Sequence, residues 1–155
     1  MILQAQVVKG KDTLDISQLN LHNLLFLQQH TWAQLCEINV SKCSLQDDSL
    51  DVLRMYPRLE IIIASHNHIR TVNFSLNPLD KRDKQKKKKR PYPFEKLKRL
   101  DISYNLLDRF PNITACNKLR KLYLQGNFIK DIGTEERPVD RTQNPKLMEI
   151  NLYRN

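Results

Sequence analysis

Aliphatic side chains recur along this chain at one fixed spacing, LxxLxLxxNxL, and that spacing dictates which elements to expect. It is clearest as Leu97, Leu100, Ile102, Asn105 and Leu107, and again as Leu119, Leu122, Leu124, Asn127 and Ile129. The same register recovers Leu59, Ile62, Ala64, Asn67 and Ile69, and also Leu35, Ile38, Val40, Cys43 and Leu45, where cysteine fills the asparagine slot. A weaker first copy uses Leu14, Ile16, Leu19 and Leu21, and a sixth begins with Leu147, Ile150 and Leu152 and reaches Asn155. Slot residues 19, 43, 67, 105, 127 and 155 are 24, 24, 38, 22 and 28 positions apart, so the two long intervals hold insertions, placed at residues 77–91 and 133–144.

Each LxL core predicts a short strand whose two aliphatic side chains point inward while the positions between them point outward. Six such strands stack in parallel along a right-handed solenoid of α/β class, with the strands on the concave face and helices or extended turns on the convex face. The slot asparagine turns the chain out of the strand, and its amide satisfies backbone groups of adjoining coils that burial would leave unpaired. Cys43 can stand in only as a weak S–H donor, which is a ladder role and not that of a catalytic thiol. Trp32, Tyr56 and Phe94 each precede their slot by eleven residues, a shared phase that marks a packing spine on the convex side. Residues 24–27 and 47–53 read as short helices, the second with acidic and capping residues at its start, whereas Phe110 and Pro111 predict a tighter, extended return. The chain 1–155 is then a single domain, with residues 1–12 capping the first coil. The sixth copy is incomplete at Asn155 and no polar cap follows it, so this end is expected either to dock on a partner chain or to be continued by further sequence.

These copies resemble the leucine-rich-repeat superfamily, and within it the intracellular classes with repeats of about 22 to 24 residues. The resemblance spans residues 11–155 and is carried by buried positions, so it speaks to fold far more than to function. The function expected is that of a non-catalytic protein–protein interaction module, an adaptor subunit of a larger assembly that binds through the apolar and aromatic patch of its concave face. The cysteine-rich caps of secreted relatives are absent, which fits an intracellular setting, cytoplasmic, nuclear or ciliary. The departures are the insertion before the fourth copy and the missing end of the sixth.

Taking only the outward positions maps that concave face. Six before the slot stand Thr13, Glu37, Ile61, Arg99, Lys121 and Glu149; four before it, Asp15, Asn39, Ile63, Asp101, Tyr123 and Asn151. Two before it come Ser17, Ser41, Ser65, Ser103, Gln125 and Tyr153, where serine answers a need for a small residue. Immediately before it are Gln18, Lys42, His66, Tyr104, Gly126 and Arg154. Exposed aliphatics beside aromatics with polar tips have the composition of interface hot spots. The candidate partner-binding residues are therefore Ile61, Ile63, His66, Arg99, Asp101, Tyr104, Lys121, Tyr123, Tyr153 and Arg154. The competing expectation is that the insertion or the C-terminus folds over this patch.

Charge changes the picture at one place. The formal net charge is +9, yet eight of the 26 basic residues fall in 81–90, where Asp83 is the only acid. That segment has too much charge and too few apolar residues to pack, so it should be a mobile loop. Lys86, Lys87, Lys88, Lys89 and Arg90 are candidates for contact with phosphate or an acidic partner surface, which leaves open an RNA-binding subunit of a ribonucleoprotein assembly, or for nuclear import. Other chemistry finds little support. Three glycines cannot build phosphate-cradling loops. Cys36, Cys43 and Cys116 are odd in number and lack CxxC pairing, against a disulfide framework or a zinc site. His66 and His68 flank a slot residue and should point to different sides, so no metal pair is expected. No nucleophile has a partner at reach, and no enzyme, cofactor or small-molecule substrate is anticipated. The first ten residues lack the basic and apolar stretches of an export signal, and no apolar run has membrane-spanning length. The sequons at Asn39, Asn73 and Asn112 are therefore read as chance.

Overall fold

The structure, a computed structural model, describes residues 6–7, 12–29, 32–75, 93–130 and 144–155. Its centre is a row of three-residue strands: β2 (Thr13–Asp15), β3 (Glu37–Asn39), β4 (Ile61–Ile63), β5 (Arg99–Asp101), β6 (Lys121–Tyr123) and β7 (Glu149–Asn151). All six are parallel and follow chain order, and β1 (Gln6–Val7) adds antiparallel to β2. The central residues Leu14, Ile38, Ile62, Leu100, Leu122 and Ile150 pair in one unbroken register. The longest interval, between β4 and β5, therefore leaves the stacking unshifted. This is a leucine-rich-repeat solenoid with the expected strand at each expected place.

The repeat works because each inward position meets its counterpart one coil away. Leu59, Leu97 and Leu119 before the strands, Ile62, Leu100 and Leu122 within them, and Leu45, Leu107 and Ile129 after the slots are all buried. Only the ends of the row depart. Leu19 in the first slot and Ile150 in the last strand are each 37% exposed, since the first copy is weak and β7 has a strand neighbour on one side only among the described residues.

The convex spine runs further than the aromatics that announce it. Trp32 stacks on Tyr56 with ring centroids 6.4 Å apart, and the Tyr56 hydroxyl donates to Leu27 O at 2.7 Å. Burial pushes the Tyr56 phenol above its ordinary value. Phe94 stacks on Phe74 at 3.9 Å. The same phase continues as Cys116 and Asn144, both buried. The Asn144 amide donates to Ile113 O and Cys116 O, each at 3.1 Å, so Asn144 belongs to the coil framework although the sequence placed it in the second insertion.

The two expected helices are 3₁₀ turns, Leu25–Gln29 and Asp51–Met55. Five residues close only the tighter i→i+3 bonds, which is what a short crossing of the convex side allows. The anticipated capping is used differently. Leu50 occupies the N-cap with no side-chain bond, and the Asp47 carboxylate instead accepts the Arg70 and Thr71 N–H groups of the next coil at 2.6 and 3.1 Å. After Leu107 the return is extended, as Phe110 and Pro111 foretell: Phe74 N–H donates to Asn112 O and Asn112 N–H to Val72 O. Of the expected N-terminal cap, residues 6–7 and 12 are described; residues 77–91 and 133–143 lie outside the described residues.

Candidate interaction surface

The concave face is held in place by the slot residues. Asn67 Oδ1 accepts the Cys43 and Leu45 N–H groups at 2.9 and 3.0 Å, while its Nδ2 donates to Val40 O and Ala64 O at 3.0 Å. Asn105 and Asn127 repeat both donor bonds and accept one N–H each, from Ile69 and Leu107, and Asn155 continues the ladder by accepting Ile129 N–H and donating to Leu124 O and Leu152 O. Cys43 keeps the donor half alone, with its thiol 3.0 Å from Ile16 O. Burial raises the Cys43 thiol above its ordinary value, so it stays protonated and able to donate.

The residue before each slot turns the chain out of the sheet, and every one has positive φ: Gln18, Lys42, His66, Tyr104, Gly126 and Arg154. Left-handed backbone costs a non-glycine residue about 1–2 kcal/mol. Ladder bonds from these same N–H groups offset it, among them Lys42 to Ser65 O, His66 to Ser103 O and Tyr104 to Gln125 O. Gly126 does more than tolerate the turn. A Cβ there would meet Tyr104 Cδ1 at 2.5 Å, so the glycine is the seat of the Tyr104 ring. The other face of that ring stacks on His66, 4.5 Å between centroids and 8° from parallel. His68 is exposed as well, with its N–H on Leu45 O.

Among the outward strand positions, the fourth before the slot divides the coils. Asp15, Asn39, Asp101 and Asn151 each turn a side-chain oxygen back to accept the N–H two residues on, at 2.9, 3.1, 3.2 and 3.0 Å. Such Asx turns hold the strand exit locally. Burial alone would raise the Asp15 carboxyl, but bonds from Ser17 and the Asn39 amide outweigh it and hold it below its ordinary value. Asp101 also binds the Ser103 hydroxyl at 2.6 Å and Arg99 at 3.5 Å, so this candidate binding residue is largely engaged within the protein. Coils three and five lack the Asx turn and carry Ile63 and Tyr123 instead.

The structure brings these two exceptions beside the other candidates. Ile61 and Ile63 are half-buried, in register with Arg99 and Asp101. Arg99 lies over the Tyr123 ring at 5.1 Å, and Lys121 pairs with Glu149 at 3.1 Å. The hydrogen bond from Lys121 holds the Glu149 carboxyl below its ordinary value, and the same bond holds the Lys121 ammonium above its own. Tyr153 and Arg154 stand apart at the last coil, exposed and stacked on each other at 5.2 Å. Arg99 Nε and Gln125 Oε1 are, among the described residues, the buried side-chain polar atoms without a hydrogen-bond partner. The segment Lys86–Arg90 lies outside the described residues. Among the described residues no three metal-ligating side chains gather, and no helix is long and apolar enough to cross a membrane.

A family model described as leucine-rich repeats, two copies, matches residues 95–138. No curated protein matches the chain. The matched stretch takes in β5, β6 and the ladder residues Asn105 and Asn127. The same strand and the same register recur in the coils on either side of it. Residues 95–138 thus carry two leucine-rich repeats, and the coils on either side share their strand and register.

Proposed function

We propose that this protein is a non-catalytic interaction module that holds a protein partner against its concave face, at Ile61, Ile63, Tyr123 and the stacked pair His66 and Tyr104. The observation that carries this reading is the break in the Asx column. Four coils secure their strand exit with an Asp or Asn, whereas coils three and five forgo that bond for an isoleucine and a tyrosine facing outward. Giving up a local hydrogen bond for a half-exposed apolar side chain makes sense where a partner covers that side chain.

The break also supplies the test. Ile63→Asn and Tyr123→Asn each restore an Asx residue, so the double variant should fold with stability within about 1 kcal/mol of the parent. Tagged parent and double variant are purified from their native cells, with and without nuclease, and the bound proteins identified by mass spectrometry. The expected result is a partner set retained by the parent after nuclease and lost by the folded variant. An identical set on both proteins would sink the concave-face assignment, and loss of every partner on nuclease treatment would favour the ribonucleoprotein alternative.

A further inference from the structure

A second surface lies along the leading edge of the sheet, where the chain enters each strand. The residues just before the strands form one hydrogen-bonded row through Asp12, Cys36, Glu60, Lys98, Arg120 and Met148, each N–H from Glu60 onward donating to the carbonyl of its predecessor. Two positions earlier, in the turn leading into each strand, stand Arg58, Lys96, Lys118 and Lys146. The Arg58 guanidinium is bonded to Gln34 at the same phase of the previous coil, which confirms that this position too runs as a column. The edge is polarised. The early coils carry a balance of charge there, Asp12, Arg58 and Glu60, whereas the last three carry Lys96, Lys98, Lys118, Arg120 and Lys146.

Ion pairs engage only part of this charge. Lys98 holds Glu60 at 2.5 Å and Lys121 holds Glu149 at 3.1 Å. Lys96, Lys118, Arg120 and Lys146 are exposed, and none is paired with an acid among the described residues. Glu95, half-buried beside Lys96, offsets one of these four charges and leaves an excess of three. Neighbouring coils are about 4.8 Å apart on the strand side, so these cations crowd into about 10 Å, near one Debye length. Like charges held that close repel, and an anionic occupant relieves the repulsion.

We infer that the leading edge of coils four to six is a docking site for an acidic polypeptide segment, bound by Lys96, Lys118, Arg120 and Lys146. Charge complementarity selects an anion, and two features favour a polypeptide over nucleic acid. The cationic excess spans only three coils and ends at coil three, where Glu60 stands beside Arg58, which is too short for a phosphate track but fits a few carboxylates. The exposed aromatics of the described residues, Tyr104, Phe128 and Tyr153, lie at or beyond the strand exits, so bases would find no stacking platform on this edge. The site is separate from the concave patch and does not rest on it.

The test is fluorescence anisotropy on the full chain with a labelled peptide of alternating Glu and Gly, a Gln–Gly control and oligouridylate, at low and physiological salt. Lys96→Glu, Lys118→Glu and Arg120→Glu are combined in one variant. The same charge change is placed on the trailing side in a second, with Lys42→Glu, Arg70→Glu and Lys130→Glu, all exposed positions. The leading-edge variant should weaken the acidic peptide by roughly tenfold more than the trailing-side variant. Ile63→Asn with Tyr123→Asn should leave this binding unchanged, so failure here and failure of the concave-face reading are separable. Equal weakening in both charge variants, or no binding by the parent, would overturn the inference. So would oligouridylate binding more tightly than the peptide and vanishing with the leading-edge variant, which would assign the edge to nucleic acid.

Discussion

One amide does different work from one thiol at the same slot. Asn67 serves two N–H groups of the preceding coil and two buried carbonyls, one of that coil and one of its own, while Cys43 reaches Ile16 O and leaves the acceptor half undone. This was legible from spacing alone, because only a side chain with both donor and acceptor suits a place where backbone groups of both kinds are buried. Gly126 was not legible in the same way. Five side-chain-bearing residues adopt the same left-handed turn in its column, so its φ of +69° does not explain the glycine. The Tyr104 ring from the preceding coil does. Gly126→Ala should lower the free energy of unfolding by about 1–3 kcal/mol, from backbone strain and displacement of the ring. In urea titrations Tyr104→Ala should remove part of that cost, so the double variant loses less than the sum of the singles. Strict additivity would show that the ring and the glycine are not coupled.

At the scale of elements, the base of the longest interval shows how a coil tolerates inserted sequence. Phe74 and Phe94 lie on either side of it and stack on each other. Arg54, in the second 3₁₀ turn, donates to Ser75 O at 3.0 Å and Asn73 O at 2.6 Å and lies 5.5 Å from the Phe94 ring centroid. Two chain ends are thus joined by packing and charge-assisted bonds, and the pairing of Ile62 with Leu100 is undisturbed. Arg54→Ala should cost about 1–2 kcal/mol, since the guanidinium is partly solvated. Hydrogen exchange should quicken at Phe74 and Ala115, whose N–H groups tie the adjoining returns together. Arg54→Lys should recover little, because one ammonium cannot reproduce the forked contact. Protection unchanged in Arg54→Ala would mean the aromatic stack alone holds the base. Phe94 was readable as spine from its phase, but its pairing with Phe74 was not, because no repeat spacing relates residues on the two sides of an insertion.

Across the whole molecule, burial fixes how the protein responds to alkali. Cys116 sits inside the spine, and burial pushes its thiol up to about 12 from an ordinary value of 9.0. Below about pH 9 both folded and unfolded chains keep this proton, so it adds no pH dependence. Between about pH 9 and 12 only the unfolded chain releases it, and stability falls by about 1.4 kcal/mol per pH unit from this group. Urea titrations stepped through that window should give a shallower decline for Cys116→Ala than for the parent, and equal slopes would show the thiol ionising as readily in the folded state. The sequence by itself determined the number of coils, the inward and outward residues, the asparagine ladder and the solenoid fold, because each rests on a periodicity that every coil must share to bury its own face against the next. Only the tertiary structure decided which outward residues are occupied and which are available. It engaged Asp101 in a turn and an ion pair, left Ile63 and Tyr123 without the turn, and put Tyr104 on Gly126. It also aligned Lys96, Lys118 and Lys146 along one edge, in columns outside the strands where the repeat places no constraint on side-chain type. A buried position answers to the repeat, whereas an exposed one answers to neighbours 22 to 38 residues away, and those meet only when the coils stack.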